Sequence, residues 1–221
     1  MEQFTIEHLY TLNETIADAL FAEAVYPWEV LPRIGDFILE LGKKLPTEIF
    51  TEVEEHVWVA KSAKIARTAY IHGPAIIDED AEIRHCAFIR GNAIIGEGAD
   101  VGNSTELKNA VLFNRVQVPH YNYVGDSILG YKSHMGAGSI TSNVKSDKTH
   151  VVVTDGAERL DTDRKKVGAM LGDFVEVGCN SVLNPGTVIG PHSNVYPTSC
   201  VRGMVPANSI WKTGGIIVAK K

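Results

Sequence analysis

The chain has 221 residues, 44% of them apolar and 22% charged, which suits one globular domain with an appendage and excludes a disordered chain. A net charge of −6 argues against a nucleic-acid partner, and no run approaches the ~18 apolar residues of a membrane span. The start MEQFTIEHLY lacks the parts of a signal peptide, and Cys86, Cys179 and Cys200 form no paired framework, so the expected location is cytoplasmic.

Residues 1–50 read as helical. Asn13 is placed to cap a helix over 14–24, with Ile16, Leu20 and Phe21 on one face. Tyr26-Pro27-Trp28 breaks it, and Pro32 falls in the first turn of a second helix. In that helix Ile34, Phe37, Ile38, Leu41 and Leu45 recur at helical spacing up to Pro46. The segment is expected to be a small α-helical cap shielding one end of a repetitive rod, with an arm for subunit contact as the competing reading.

From Val59 the period is six: Val59, Ile65, Ile71, Ile77, Ile83, Ile89, Ile95, Val101, Leu107 and Phe113. Four places after the first seven stand Ala63, Ala69, Ala75, Ala81, Ala87, Ala93 and Ala99. One bulky and one small apolar position per hexad fits neither a helix nor a simple alternating strand. It fits an all-β parallel β-helix of hexapeptide repeats, expected over residues 51–206. After Phe113 the count slips and resumes at Tyr123, Leu129, Met135 and Thr141, which points to a four-residue turn at Pro119–Asn122. It fails again over about 145–170, read as an extruded loop in which Val151–Val153 is a strand. It returns with Leu171, Val177, Leu183, Ile189, Val195 and Val201 in unchanged phase, so the loop is an insertion of whole hexads. Residues 207–221 read as a closing strand, Ser209-Ile210-Trp211, and a tail.

Departures from a repeat are where chemistry is expected. Around the first lie Glu106, Lys108, His120, Tyr123 and Asp126. An imidazole displaced from the repeat can act as a general base, oriented by Glu106, although His120 as a plain corner residue remains open. Gly91, Gly96, Gly98 and Gly102 read as corner glycines, since no helix follows them. Arg164-Lys165-Lys166 reads as a solvated basic tip, with contact to the phosphates of a ligand as its rival.

Three runs carry a resemblance: Gly102-Asn103-Ser104-Thr105-Glu106-Leu107-Lys108-Asn109, then Pro119-His120-Tyr121-Asn122-Tyr123-Val124-Gly125-Asp126, then Gly136-Ala137-Gly138-Ser139-Ile140-Thr141-Ser142-Asn143. They resemble the acetyltransferase domain of the bifunctional glucosamine-1-phosphate acetyltransferase/N-acetylglucosamine-1-phosphate uridylyltransferase. Lys166-Val167-Gly168-Ala169-Met170-Leu171-Gly172-Asp173 and Leu183-Asn184-Pro185-Gly186 look more like the archaeal branch of sugar-phosphate acetyltransferases. The likeness spans about residues 58–206. It implies left-handed coils and a homotrimer with sites between subunits. It also implies acetyl-CoA as cosubstrate, with no metal in the mechanism, and transfer to an amino-sugar phosphate such as glucosamine-1-phosphate on the route to UDP-N-acetylglucosamine.

Residue by residue, it implies that His120 is the base, that Arg90 and Lys108 hold the sugar phosphate, and that Tyr123 contacts substrate. Ala137 and Asn143 line the thioester, and Asn143 serves the developing oxyanion. His134 stands where the family has a substrate-contacting Asn, Val144 alters the CoA pocket wall, Cys179 replaces a CoA-contacting Ser, and Lys148 aligns with a CoA-site lysine across a gap. No G-x-G-T-R loop lies near the start, so uridylyltransferase activity is expected to be absent from this chain and supplied, where needed, by a separate nucleotidyltransferase. Two rival readings stay open: a non-catalytic β-helix that binds sugar nucleotides or assembles with such an enzyme, and a zinc hydration enzyme. The second needs about three converging imidazoles, and His72, His85, His120 and His134 lack the close pairing that would supply them.

Overall fold

A computed structural model describes residues 2–221. It shows the left-handed parallel β-helix expected of hexapeptide repeats, with a small helical segment at the N-terminus. Each coil contributes one short strand to each of three faces. On the first face the rungs are Val57–Ala60, Ala75–Ile77, Ala93–Ile95, the later halves of Glu106–Leu112 and Tyr123–Leu129, Ala169–Leu171, Thr187–Ile189 and Met204–Val205. The second face runs through Tyr70–Ile71, Phe88–Ile89, Glu106, Tyr123, Ile140–Thr141, Val182–Leu183 and Cys200–Val201. The third begins at Lys64–Ile65 and ends at Ser209–Lys212. Antiparallel strands finish two of the faces: Phe50–Glu54 lies on Val57–Ala60, and Ile216–Ala219 lies on Ser209–Lys212. No described helix is long and apolar enough to cross a membrane.

The hexad count is correct for most of the rod and mistaken in one stretch. Val57 pairs with Ala75 and Ala75 with Ala93, each step a full three hexads. Ala93 then pairs with Ala110 and Ala110 with Ser127, each step one place short of three hexads. The interior residues there are Leu107, Leu112, Val118, Val124 and Leu129, all fully buried. Val118 to Val124 is therefore an ordinary hexad, and Pro119–Asn122 is not the short turn. The shortened intervals are Leu107–Leu112 and Val124–Leu129. Tyr123, counted as interior, faces outward and is half-buried. Phe113 also points out of the prism. It occupies the corner position held by Gly96, Gly130, Gly172 and Gly190 in other coils, and its ring packs at 5.2 Å from Tyr10 and 5.7 Å from Phe21. The loop does preserve phase: Ile128 pairs with Met170, seven hexads on, so one ordinary coil of three hexads has gained four more.

The N-terminal segment corrects the sequence reading in two respects. Residues 14–24 form no continuous helix; 3-10 turns at Leu12–Glu14 and Asp18–Phe21 flank an extended Thr15. The Thr15 hydroxyl accepts from Ala17 N at 3.2 Å and the Asp18 carboxylate from Ala19 N at 2.6 Å, local bonds that compete with a helical ladder. The chain then continues through a 3-10 stretch, Pro27–Arg33, that contains Pro32, into the α-helix Ile34–Gly42.

The second correction concerns placement. The segment lies along the first face as a strap, not over an end. Leu9 O accepts from Asp173 N, Glu14 O from Asn114 N, and the helix Ile34–Gly42 passes beside Asn92 and Trp58. A side chain at Gly42 would collide with the Trp58 ring, so glycine is needed for that approach. The cause is an apolar stripe on the outside of the first face: Trp58, Ile76, Ile94, Val111, Ile128, Met170 and Val188, all buried. Each is worth about 1.5–3 kcal/mol when removed from water.

Phe113→Ala removes the ring that joins strap and rod; we expect a loss of about 3–5 kcal/mol in urea unfolding and early proteolysis within residues 1–50. Asp78 shares the corner position of Phe113 and is 8% exposed. Burial first, then Glu79 and Glu97, raise its carboxyl to about 6, against a lowering hydrogen bond from Glu79 N. A raised folded pKa keeps the folded state protonated longer, so the contribution of this group to stability is fully present below about pH 4 and is lost as pH rises through about 6. Asp78→Asn should therefore raise Tm at pH 8, by a stability gain on the order of 2 kcal/mol, and leave it nearly unchanged at pH 4.

Candidate active site

The two short intervals build a polar corner. The preceding coil turns on two left-handed residues, Gly91 (φ 90°) and Asn92 (φ 50°); the next two turn on one each, Asn109 (φ 51°) and Asp126 (φ 48°). Asn and Asp tolerate this region, so the corner shortens by a residue without a glycine. The consequence is that Asp126 lies buried against the rungs beside it. Its carboxylate accepts from Lys108 Nζ at 2.8 and 3.1 Å, Asn109 Nδ2 at 2.9 Å and Asn143 Nδ2 at 2.6 Å. Asn143 Nδ2 also donates to Tyr123 Oη at 3.3 Å.

On the second face beside this corner, Glu106 pairs with Tyr123 along the ladder, and Arg90 donates to Glu106 Oε1 at 2.6 Å. Glu106 is thus held by Arg90 and makes no hydrogen bond to His120, contrary to the orienting role expected of it. Both N–H groups of Asn143 are occupied as well, so in this arrangement its amide positions Tyr123 and Asp126 and offers nothing to an oxyanion. Arg90 and Lys108, the expected phosphate ligands, each face a carboxylate within the chain. Desolvation first, then Asp126 and Glu106, push the Tyr123 phenol upward, so it stays protonated and can donate.

His120 sits at the other end of the second face, on the corner with the third. Its ring is exposed and, among the described residues, receives no side-chain hydrogen bond. The backbone is well fixed: His120 N donates to Asn122 Oδ1 at 3.1 Å, and His120 O accepts from Gly138 N at 3.0 Å. Asn122 is buried and ties this corner to the next by donating to Gly136 O at 2.9 Å and Ser139 O at 3.0 Å. It is a positioning residue that hexad counting gave no means of finding. The ladder continues with Asn180 N donating to Ala137 O and Thr198 N to Cys179 O. His120, Ala137 and Cys179 are consequently successive rungs of one corner, about 4.8 Å apart each.

Beside that corner the third face carries a groove of about 500 Å³, walled by His134 and Glu176 on one side and Cys179, Tyr196 and Pro197 on the other. His134 Nδ1 lies 2.8 Å from Glu176 Oε2. Gly136 forms the floor, where a Cβ would meet Cys179 N at 2.7 Å. Of the remaining expected residues, Val144 is exposed and its backbone bridges Lys166, while Lys148 stands apart on an exposed turn. Among the described residues, the one three-ligand cluster that could hold a metal is His150, Asp161 and Asp163, which has a single imidazole and includes none of His72, His85, His120 or His134.

The loop folds back instead of protruding. Its strands Val152–Thr154 and Arg159–Asp161 pair antiparallel, and Val151, Val153 and Val167 are buried. Val167 N donates to Asn143 O at 3.1 Å and Gly168 N to Asp126 O at 2.7 Å, which brings Arg164, Lys165 and Lys166 over the polar corner. The basic run is therefore not simply a solvated tip.

The chain is 30% identical over 199 residues to "Bifunctional protein GlmU" of Methanococcus maripaludis, a match covering 89% of this chain and 48% of that one. It is 33% identical over 112 residues, 51% of this chain and 28% of that one, to the "Bifunctional sugar-1-phosphate nucleotidylyltransferase/acetyltransferase" of Sulfurisphaera tokodaii. A "Putative uncharacterized acetyltransferase YaiX" of Escherichia coli is 29% identical over 73% of this chain and 70% of that one. This chain thus spans half or less of the length of the bifunctional relatives it matches. Residues 71–205 match the model of the GMPPB C-terminal domain. That match covers more than half of the chain, which belongs to the GMPPB C-terminal domain family.

Proposed function

We propose that the chain is a CoA-dependent N-acetyltransferase whose acceptor is an amino-sugar phosphate, with glucosamine-1-phosphate as the first candidate. The observation that carries this reading is the rung ladder of His120, Ala137 and Cys179 next to an open groove, with the protonated Tyr123 across the second face. Acetyltransferase in the names of relatives supports it.

In this mechanism acetyl-CoA lies along the third-face groove with its thioester at the Ala137 rung. His120 takes a proton from the acceptor amine as the nitrogen attacks the thioester carbonyl. The tetrahedral intermediate collapses, the C–S bond breaks, and the imidazolium returns the proton to the departing thiolate. The products are an amide and free CoA, with no covalent enzyme intermediate. Tyr123 Oη, which accepts from Asn143, keeps its own hydrogen for a substrate oxygen. His120 lies on an edge between two faces, so a neighbouring copy is needed to close the site. The strap covers the first face and leaves the second and third for that packing, which fits a trimer.

Release of free thiol from acetyl-CoA, measured with glucosamine-1-phosphate and related amines, tests the reading. His120→Ala should lower kcat/KM by about 10²–10⁴ while CoA binding is kept. A wild-type protein that releases thiol with no amine, or a variant that retains the rate, contradicts it.

A further inference from the structure

A polar cavity of about 510 Å³ lies on the far side of the polar corner, where three separate parts of the chain meet. Pro32 of the strap forms one wall, Asn92 and Lys108 of successive rungs the floor, and Arg164, Lys165 and Lys166 of the loop the roof. The charges around it are unequal. Lys108 is neutralised by Asp126, and Asp163 is the only other carboxylate in the lining. Arg164, Lys165 and Lys166 have no carboxylate within ion-pair distance among the described residues, and the buried Arg164 Nε has no hydrogen-bond acceptor. A chain of net charge −6 thus holds a cavity lined by unpaired cations, one of them with a desolvated donor lacking its acceptor.

We infer that this cavity is an anion site, filled by the phosphate ester of the ligand and held by Arg164, Lys165 and Lys166 in place of Arg90 and Lys108. A guanidinium fork and two ammonium groups match a phosphate dianion in charge and in donor geometry. The volume falls within the range of small-ligand pockets, so the phosphate enters with part of the molecule that bears it. The roof is fixed in place: Lys166 bridges Val144, and Val151 N donates to Arg164 O at 2.7 Å. Lys108 and Asp126 are shared between this cavity and the Tyr123–Asn143 group, which sets the phosphate one side chain from the second face. That the phosphate belongs to the acyl acceptor rests on the transfer reading above; the anion site itself does not.

Titration with pyrophosphate by calorimetry tests the site on the whole chain. The wild type should bind, Lys165→Ala/Lys166→Ala should weaken binding at least tenfold with Tm unchanged, and Arg90→Ala should weaken it less than threefold. Both lysines are exposed, so the double variant should fold. No binding by the wild type, equal binding by the double variant, or a loss in Arg90→Ala as large as in the lysine pair overturns the inference. Displacement of pyrophosphate by glucosamine-1-phosphate supports the acceptor as its source, and displacement by coenzyme A alone overturns that assignment. A wild type that binds pyrophosphate through the two lysines yet acetylates no amine leaves the anion site standing and removes the transfer reading.

Discussion

Every rung of this protein stacks on the rung before it, and that register is the constraint on which the rest of the structure depends. Strand hydrogen bonds and the interior apolar column both require each coil to return its inward residues to the same positions, because a shift of one reverses every side chain. Length can change only at corners. Three steps along the first face advance by three hexads, as from Val57 to Ala75; those from Ala93 to Ala110 and from Ala110 to Ser127 are one place short, and that from Val188 to Met204 two places short. Across the loop, from Ile128 to Met170, the advance is seven hexads. Charged side chains gather at the shortened coils that end at Ala110 and Ser127 and at the loop. There Asp126 is buried among Lys108, Asn109 and Asn143, and the four added hexads carry three cations back over the same corner.

The strap divides the labour among the faces. Its apolar residues cover the stripe from Trp58 to Val188, so the first face is finished within the chain. The second face carries the carboxylates and their partners, the third the groove, and His120 stands between them. A face already covered cannot be a docking surface, which leaves the second and third faces open to one.

Much of the architecture was legible in the residues, because a six-residue period has few structural solutions and the bulky position recurs without exception from Val59 to Leu107. Where reading failed, a competing physical effect had the same appearance. Phe113 continued the apolar count, yet it stands at a corner glycine position and serves the strap. Tyr123 then absorbed the resulting error, which moved the apparent slip to Pro119. The real shortening depends on replacing two left-handed residues with one, and no apolar count registers that. Residues 14–24 have helical spacing, but Thr15 and Asp18 bond their own backbone. The stripe of Ile76, Ile94, Val111 and Ile128 was visible as a second apolar residue every third hexad. It was the signal that something would lie along the rod and not over its end. Partner choice among charges was the least legible: nothing in the spacing tells that Arg90 faces Glu106 while Arg164 faces no acid.

The register claim is tested most directly by thermal unfolding of two deletions in the loop. Removing 145–168 takes out four whole hexads, which joins Val144 to Ala169 and sets Leu171 six places after Thr141. The account predicts that this chain still melts in one cooperative transition with β-sheet circular dichroism, and that the chain lacking 145–167, a deletion one residue shorter, melts at a clearly lower temperature. Equal folding of the two deletions, or failure of the whole-hexad one alone, would contradict it.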